Sequence, residues 1–347
     1  MEPLSSIQQA MAFAWWVALG VCVLLYIALD GADLGAGIFS LFVDDEHERG
    51  AIMASMAGTW DMNETWLVVA GGILFATFPA VYGSTFSYLF IPLALALWAI
   101  MTRAVAMELR HLAHRTRRFT DLAFGLSSLA TTFFGGVAIG AVLHGYVLTP
   151  EPGHTPTYAG GALSFISPFS IWTGVASVVA VTLAGVLYVR ARFEKGEPIR
   201  EQAARWTQAA FYVALVAVVV TVAWSAVEFP WAASKWFSSS AWVWALFLIG
   251  AVYAIVQMRR ATTQDRDVAA LLWYHAGAVV MGVAMMATLY PWLVPNDWTI
   301  FSGASPQLSL TSFTLAMGSF LPVMFTYNAY QIWVFRGRLS KFHGYHH

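Results

Sequence analysis

The chain has 347 residues, of which 59% are apolar and only 11% charged, with mean hydropathy +0.64. That excess of apolar surface excludes a water-soluble domain and describes an integral membrane protein. A formal net charge of −1 and a pI of about 6.8 leave no basic footprint for nucleic acid, and a single cysteine, Cys22, rules out a disulfide within the chain.

Apolar runs of about 20 residues recur without sustained strand-period alternation, which predicts an all-α fold of spanning helices. No basic residue precedes the first run, which is too long for a signal peptide core, so the first helix is expected to be retained. Nine spans are predicted, near 11–42, 57–82, 84–102, 121–147, 167–189, 206–227, 240–258, 268–291 and 310–335. Only Tyr82, Gly83 and Ser84 separate the second from the third, which predicts a tight helical hairpin. With nine spans, 17 of the 18 Lys and Arg residues fall in loops on one side, among them Arg49, Arg103, Arg110, Arg190, Arg200, Arg259, Arg336 and Lys341. Lys235 alone lies opposite. Because basic loops stay in the cytoplasm, the N-terminus is placed outside and the C-terminus inside. The connections near 149–161 and 294–307 lack Lys and Arg and read as outer loops.

Four carboxylates lie within these spans: Asp30 and Asp33 on the first, Asp61 and Glu64 on the second. A charge in hydrocarbon costs at least ~2.5 kcal/mol, so each needs a reason. Both pairs are spaced i, i+3 and share a helix face. From the rise per residue, Asp61 is roughly 6 Å and Asp30 roughly 20 Å from the cytoplasmic ends of their spans, a ladder reaching inward from a short acidic loop, Asp44–Arg49. No Lys or Arg is expected inside the spans to pair with them. Gly31, Gly35 and Gly37 permit a close helix approach. Proton handling is one reading of such a ladder. Capping of a helix break at Leu29–Gly37, and a cation site of a transporter, are the others.

Of nine histidines only His144 and His275 fall in spans, in opposite leaflets and on the order of 15 Å apart in depth, so they do not share a haem iron. A hydrogen bond to a neighbouring helix is the simpler role for each. His154 and the C-terminal His343, His346 and His347 lie in loops or the tail. No motif for soluble-type catalysis occurs in a suitable context.

LDGADLG at the close of the first span and GTWDMNETWLVVAGGILFATFPAVYGSTFS (Gly58–Ser87) in the second resemble subunit II of the cytochrome bd-type quinol oxidases. Weaker similarity continues through Arg103, YPWLVP (Tyr290–Pro295) and the stretch Ser305–Gly337. The resemblance implies two four-helix bundles, 1–147 and 167–294, and a peripheral helix, 310–335, in one integral domain of a bacterial or archaeal plasma membrane. It implies a haem-free partner of a subunit I that holds haem b and haem d. The pair would oxidise quinol and reduce O₂ to water, electrogenically and without pumping. Asp61 and Asp30 are implied on a proton route, with Glu64 and Asp33 beside them and Trp60 packed along it. A structural quinone, lipid contacts and a small single-helix accessory subunit occur within such complexes. Two departures stand out. Met62 replaces the Gly of the WDGNE or WDGNQ pattern, and Thr102–Arg103–Ala104 stands where FRP precedes an acidic residue, for which Glu108 is the substitute. Such drift suits the cyanide-insensitive branch. The rival reading is an H⁺- or Na⁺-coupled secondary transporter using Asp30, Asp33, Asp61 and Glu64. Paired inverted halves with matching broken helices, which that reading needs, are not visible.

Overall fold

The computed structural model describes residues 4–113, 115–149 and 156–339. His114, His154, Lys341, His343, His346 and His347 lie outside them. In chain order the first helices are α1 (Ser6–Ser40), α2 (Glu46–Met56), α3 (Trp60–Thr77), α4 (Pro79–Tyr88), α5 (Phe90–Arg110) and α6 (Arg117–Val142). A short antiparallel pair, β1 (Leu148–Thr149) and β2 (Thr157–Tyr158), precedes α7 (Pro168–Arg192), α8 (Pro198–Glu228), α9 (Pro230–Trp236), α10 (Ala241–Thr263) and α11 (Asp267–Leu289). A second pair, β3 (Trp292–Val294) and β4 (Trp298–Thr299), leads into α12 (Gln307–Val334). Proline begins α4, α7, α8 and α9, at the position where a helix needs no N–H.

Eight helices among the described residues are long and apolar enough to cross a membrane. The predicted second span, α3, is not among them, because Asp61, Asn63 and Glu64 occupy its first turns. It still packs alongside α12. The Gly58 carbonyl before it accepts from Gln331 Nε2 near the end of α12, and the Thr77 carbonyl at its close accepts from the Ser305 N–H before α12 begins.

Four expectations need correction. The acidic stretch after α1 is not a loop: Asp45 caps α2 by accepting from the Glu48 N–H, and Glu46 and Glu48 occupy the first turn, where the helix dipole favours them. Tyr82, Gly83 and Ser84 form no turn and lie inside α4. The helix break falls instead at Phe78 (φ −134°, ψ 59°), which precedes Pro79 and is barred from helical geometry by its ring. As a result α3 packs chiefly on α1 and α5 on α6, so the second and third spans do not pair as a hairpin. α1 passes unbroken through Leu29–Gly37, which removes the helix-break reading of its acids. Finally, α5 continues to Arg110, eight residues beyond its expected end, and carries Arg103 into the buried interior.

α1 is the central element, packing on α3, α6 and α7, and every residue from Asp30 to Ser40 is buried. Its crossing with α7 is tight. A Cβ placed on Gly185 would lie 1.9 Å from the Gly35 carbonyl carbon, so both positions require glycine. Gly37 meets Ser128 of α6 in the same way, whereas Gly31 has room.

The arginine-bearing helix ends gather at one end of the molecule and are stitched by ion pairs. Buried Asp121 accepts from Arg49 (2.8 Å) and Arg110 (2.7 Å), joining α2, α5 and α6. Buried Asp267 accepts from Arg190 and Arg200, joining α7, α8 and α11. Arg192 donates to the Ser55, Phe335 and Gly337 carbonyls, tying the segment after α12 to α2 and α7. At the opposite end Lys235 donates to the Thr288 and Tyr290 carbonyls at the close of α11.

Candidate functional site

The buried acids of α1 are not unpaired. Arg103, completely buried on α5, places Nη2 2.8 Å from Asp30 Oδ1 and 3.0 Å from Glu64 Oε2. One guanidinium therefore bridges α1 and α3, contradicting the expectation that no basic residue lies inside. The physical cause is the extension of α5. Arg103 falls in its buried stripe with Ala99, Ile100, Ala106, Met107 and Arg110, whose spacing keeps one helix face inward. The bridge is sparse. Among the described residues Tyr26 is the other hydrogen-bonding neighbour of Asp30, and Arg103 Nε and Nη1 have no partner.

Asp33, one turn further along α1, accepts a 2.8 Å hydrogen bond from Asn63 Nδ2. Both groups are buried, and Asn63 precedes Glu64 on α3. Sequence reasoning missed the roles of Asn63 and Arg103. The signal for Arg103 was available: the eight residues from it to Arg110 contain no Gly or Pro and keep apolar residues at helical spacing.

Asp61 lies outside this cluster. It is exposed in the first turn of α3, one turn before Glu64, and forms no ion pair among the described residues. Trp60 and Glu108 do come together. With Ala57, Met107 and His111 they line a cavity of about 240 Å³ at the arginine-rich end. The six predicted residues thus divide into a cavity lining (Trp60, Glu108), a surface acid (Asp61), and an interior in which Arg103 joins Asp30 to Glu64 while Asn63 holds Asp33. The four carboxylates do not converge on a cation cage, because Arg103 already pairs with two of them. Among the described residues no group of three or more His, Cys, Asp or Glu side chains is placed to hold a metal ion.

The two histidines expected in spans lie toward opposite ends, and only His275 is in a helix. α6 stops at Val142, so His144 sits just past the helix, with Nδ1 3.2 Å from the Gly140 carbonyl and Nε2 3.2 Å from Glu228 Oε1 on α8. Both of its ring nitrogens are engaged in linking α6 to α8. His275, about two turns into α11, meets the Ala28 backbone of α1, and its Nε2 has no hydrogen-bond partner. This pair does not fit as the two ligands of one haem.

Long apolar helices around a buried acid–arginine bridge define a multi-pass membrane protein with a charged interior cluster. Residues 11–335 match the family model described as cytochrome bd terminal oxidase subunit II, and the chain belongs to that family. It is 26% identical to cytochrome bd-I ubiquinol oxidase subunit 2 of Escherichia coli K12, over 96% of each chain. It is 25% identical to cytochrome bd ubiquinol oxidase subunit 2 of Bacillus subtilis 168, over 94% of this chain and 96% of that one. The fold is similar to a chain in the structure of bd oxidase from Geobacillus thermodenitrificans, with TM-score 0.78 and 17% identity, covering 94% of this chain and 98% of that one. The chain is thus a bd oxidase subunit, part of an oxidoreductase of the bacterial plasma membrane.

Proposed function

We propose that this chain is the haem-free subunit II of a quinol-oxidising, O₂-reducing terminal oxidase, that it scaffolds a haem-bearing subunit I, and that it admits substrate protons from the cytoplasm. The observation that carries the reading is the Asp30–Arg103–Glu64 bridge, set between a surface acid and the α1 core. Haem b and haem d, bound in subunit I, would supply the electron transfer and O₂ reduction. This chain's residues handle the protons.

Protons enter at the arginine-rich end, taken as cytoplasmic, where Glu108 and Trp60 line the mouth. Asp61 gathers them at the surface and passes them one turn inward to Glu64. Arg103 then does the electrostatic work. When Glu64 is protonated its hold on the guanidinium weakens and Asp30 keeps the pairing, which leaves the bridge neutral; loss of that proton inward leaves it one charge negative and ready to take up the next. Asp33, oriented by Asn63, extends the acidic face of α1 beside this route. Because protons consumed at O₂ are drawn from the cytoplasm while quinol oxidation would release its protons on the other side, turnover is electrogenic without a pump. The transporter reading loses its proposed site, since the four carboxylates are divided between an arginine, an amide and the surface.

The test is co-purification. Expressed with a haem-bearing subunit, the chain is expected in a complex with haem bands and quinol oxidase activity. A haem-free monomer that drives solute uptake would sink the proposal.

A further inference from the structure

Away from the acid cluster, α8 meets only α7 and α9 closely, and the α7–α8 seam opens into an apolar groove of about 370 Å³. Val175 and Val179 of α7 face Tyr212, Val213 and Val216 of α8 across it. One end is closed by Trp172, whose Nε1 donates to Thr221 Oγ1 at 2.9 Å. From Tyr212 to Ala217 the groove follows roughly 8 Å of α8 at the helical rise per residue.

At its other end stands a cation without an acid. Arg259 lies one turn before the close of α10, at the arginine-rich end, and its guanidinium carbon is 5.4 Å from the Phe211 ring centre and 5.7 Å from that of Tyr212. Those rings take up its face. Among the described residues it has no ion pair and no hydrogen bond, so its N–H edge is available. Every other half-buried or buried arginine at this end that has been described above, Arg49, Arg110, Arg190, Arg192 and Arg200, is satisfied by a carboxylate or a carbonyl. A planar fork of donors at the bilayer edge matches phosphate geometry, and Tyr212 connects that fork directly to a groove with room for an alkyl chain.

We propose that Arg259 and the α7–α8 groove form a site for one anionic glycerophospholipid of the leaflet at the arginine-rich end, with its phosphate on the Arg259 edge and an acyl chain between the two helices. Charge complementarity selects the headgroup, and the groove's apolar walls select the chain. A free phosphate would use only the first of these, and a zwitterionic lipid carries its own cation against Arg259.

The experiment uses the intact oxidase complex, delipidated in neutral detergent, with binding of phosphatidylglycerol, phosphatidylcholine or inorganic phosphate followed by native mass spectrometry and thermal melting. Phosphatidylglycerol is expected to be retained and to raise the melting temperature more than phosphatidylcholine, with phosphate inert. Arg259→Gln is expected to weaken phosphatidylglycerol roughly fivefold, the weight of one arginine at an anionic bilayer surface. Arg259→Lys should recover part of that loss, Val216→Trp should abolish retention by filling the groove, and Arg260→Gln, which removes a neighbouring exposed charge, should match wild type. Equal effects of Arg260→Gln and Arg259→Gln, retention unchanged in Val216→Trp, or full substitution by inorganic phosphate each overturn the proposal. So does phosphatidylcholine binding as tightly as phosphatidylglycerol to the wild-type complex, a comparison that requires no variant to fold.

Discussion

Replacing Arg103 by Met removes a charge from a fully buried position while keeping most of the side-chain volume. Two contacts disappear, at 2.8 Å to Asp30 and 3.0 Å to Glu64. Glu64 is partly exposed and finds solvent; Asp30 is sealed and does not. Removing one partner of a buried pair costs about 3–5 kcal/mol because the survivor is left uncompensated. For a chain of this size that corresponds to a melting temperature lower by roughly 4–7 °C. The orphaned charge, not the lost side chain, is the source, so Asp30→Asn added to Arg103→Met should restore a large part of the loss, with a coupling of about 1–3 kcal/mol. The measurement is a double-mutant cycle on the detergent-purified complex, read by melting or by denaturant titration. Arg103→Met melting with wild type, or Asp30→Asn adding its own cost without rescue, would refute the buried bridge.

Three further outcomes are expected. Gly185→Ala drives a Cβ into the Gly35 backbone and should destabilise the α1–α7 crossing by about 1–3 kcal/mol or more, measured by melting, whereas Gly31→Ala, with room around it, should be near neutral. Asn63→Leu removes the donor to Asp33 and leaves a buried carboxylate unsatisfied, costing about 1–3 kcal/mol by the same assay, while Asn63→Gln or →Asp should not reproduce the native contact. Hydrogen bonds from Lys195 and Arg200 hold the Asp265 carboxyl, outside the membrane spans, down at about 2 from its usual 3.8. A lowered folded-state value means that its stabilisation is complete above about pH 4 and fades as pH falls toward 2, so amide protection factors in the Glu194–Arg200 segment, corrected for intrinsic exchange at each pH, should fall across that window. Asp265→Asn should show low protection at all pH values, and protection equal to wild type would remove Asp265 as the latch.

Much of this was legible in the sequence, for identifiable reasons. Asp30 and Asp33 stood out because carboxylates in an apolar run have no other excuse, and the i, i+3 spacing placed them on one face correctly. Gly35 and Gly37 were legible as approach points, since small residues in a spanning helix have few other uses. Arg103 was misplaced because hydropathy ends a span at the first charge, whereas the helix continues as long as its inward face is served; the Asp30 and Glu64 charges made an arginine the right inward residue. The acidic stretch before Ala51 reads as a loop in sequence because its helix is stabilised by a cap and dipole rather than by apolar periodicity. The break at Phe78 depended on Pro79, which hydropathy does not see. Trp60 and Glu108 were grouped by resemblance, and it took the continuation of α5 past Arg103 to bring Glu108 against Trp60. Asn63 gave no signal as an uncharged residue among charged ones.

The proton role is tested most directly by reconstituting the intact complex in liposomes and following quinol-driven O₂ consumption, membrane potential and haem content together in Asp61→Asn, Glu64→Gln and Asp30→Asn. All three variants are expected to retain haem and to lose O₂ turnover, with Asp30→Asn and Glu64→Gln lower than Asp61→Asn, and the potential should fall in proportion. Wild-type turnover and potential at every pH in variants that retain haem would contradict a proton route through these acids.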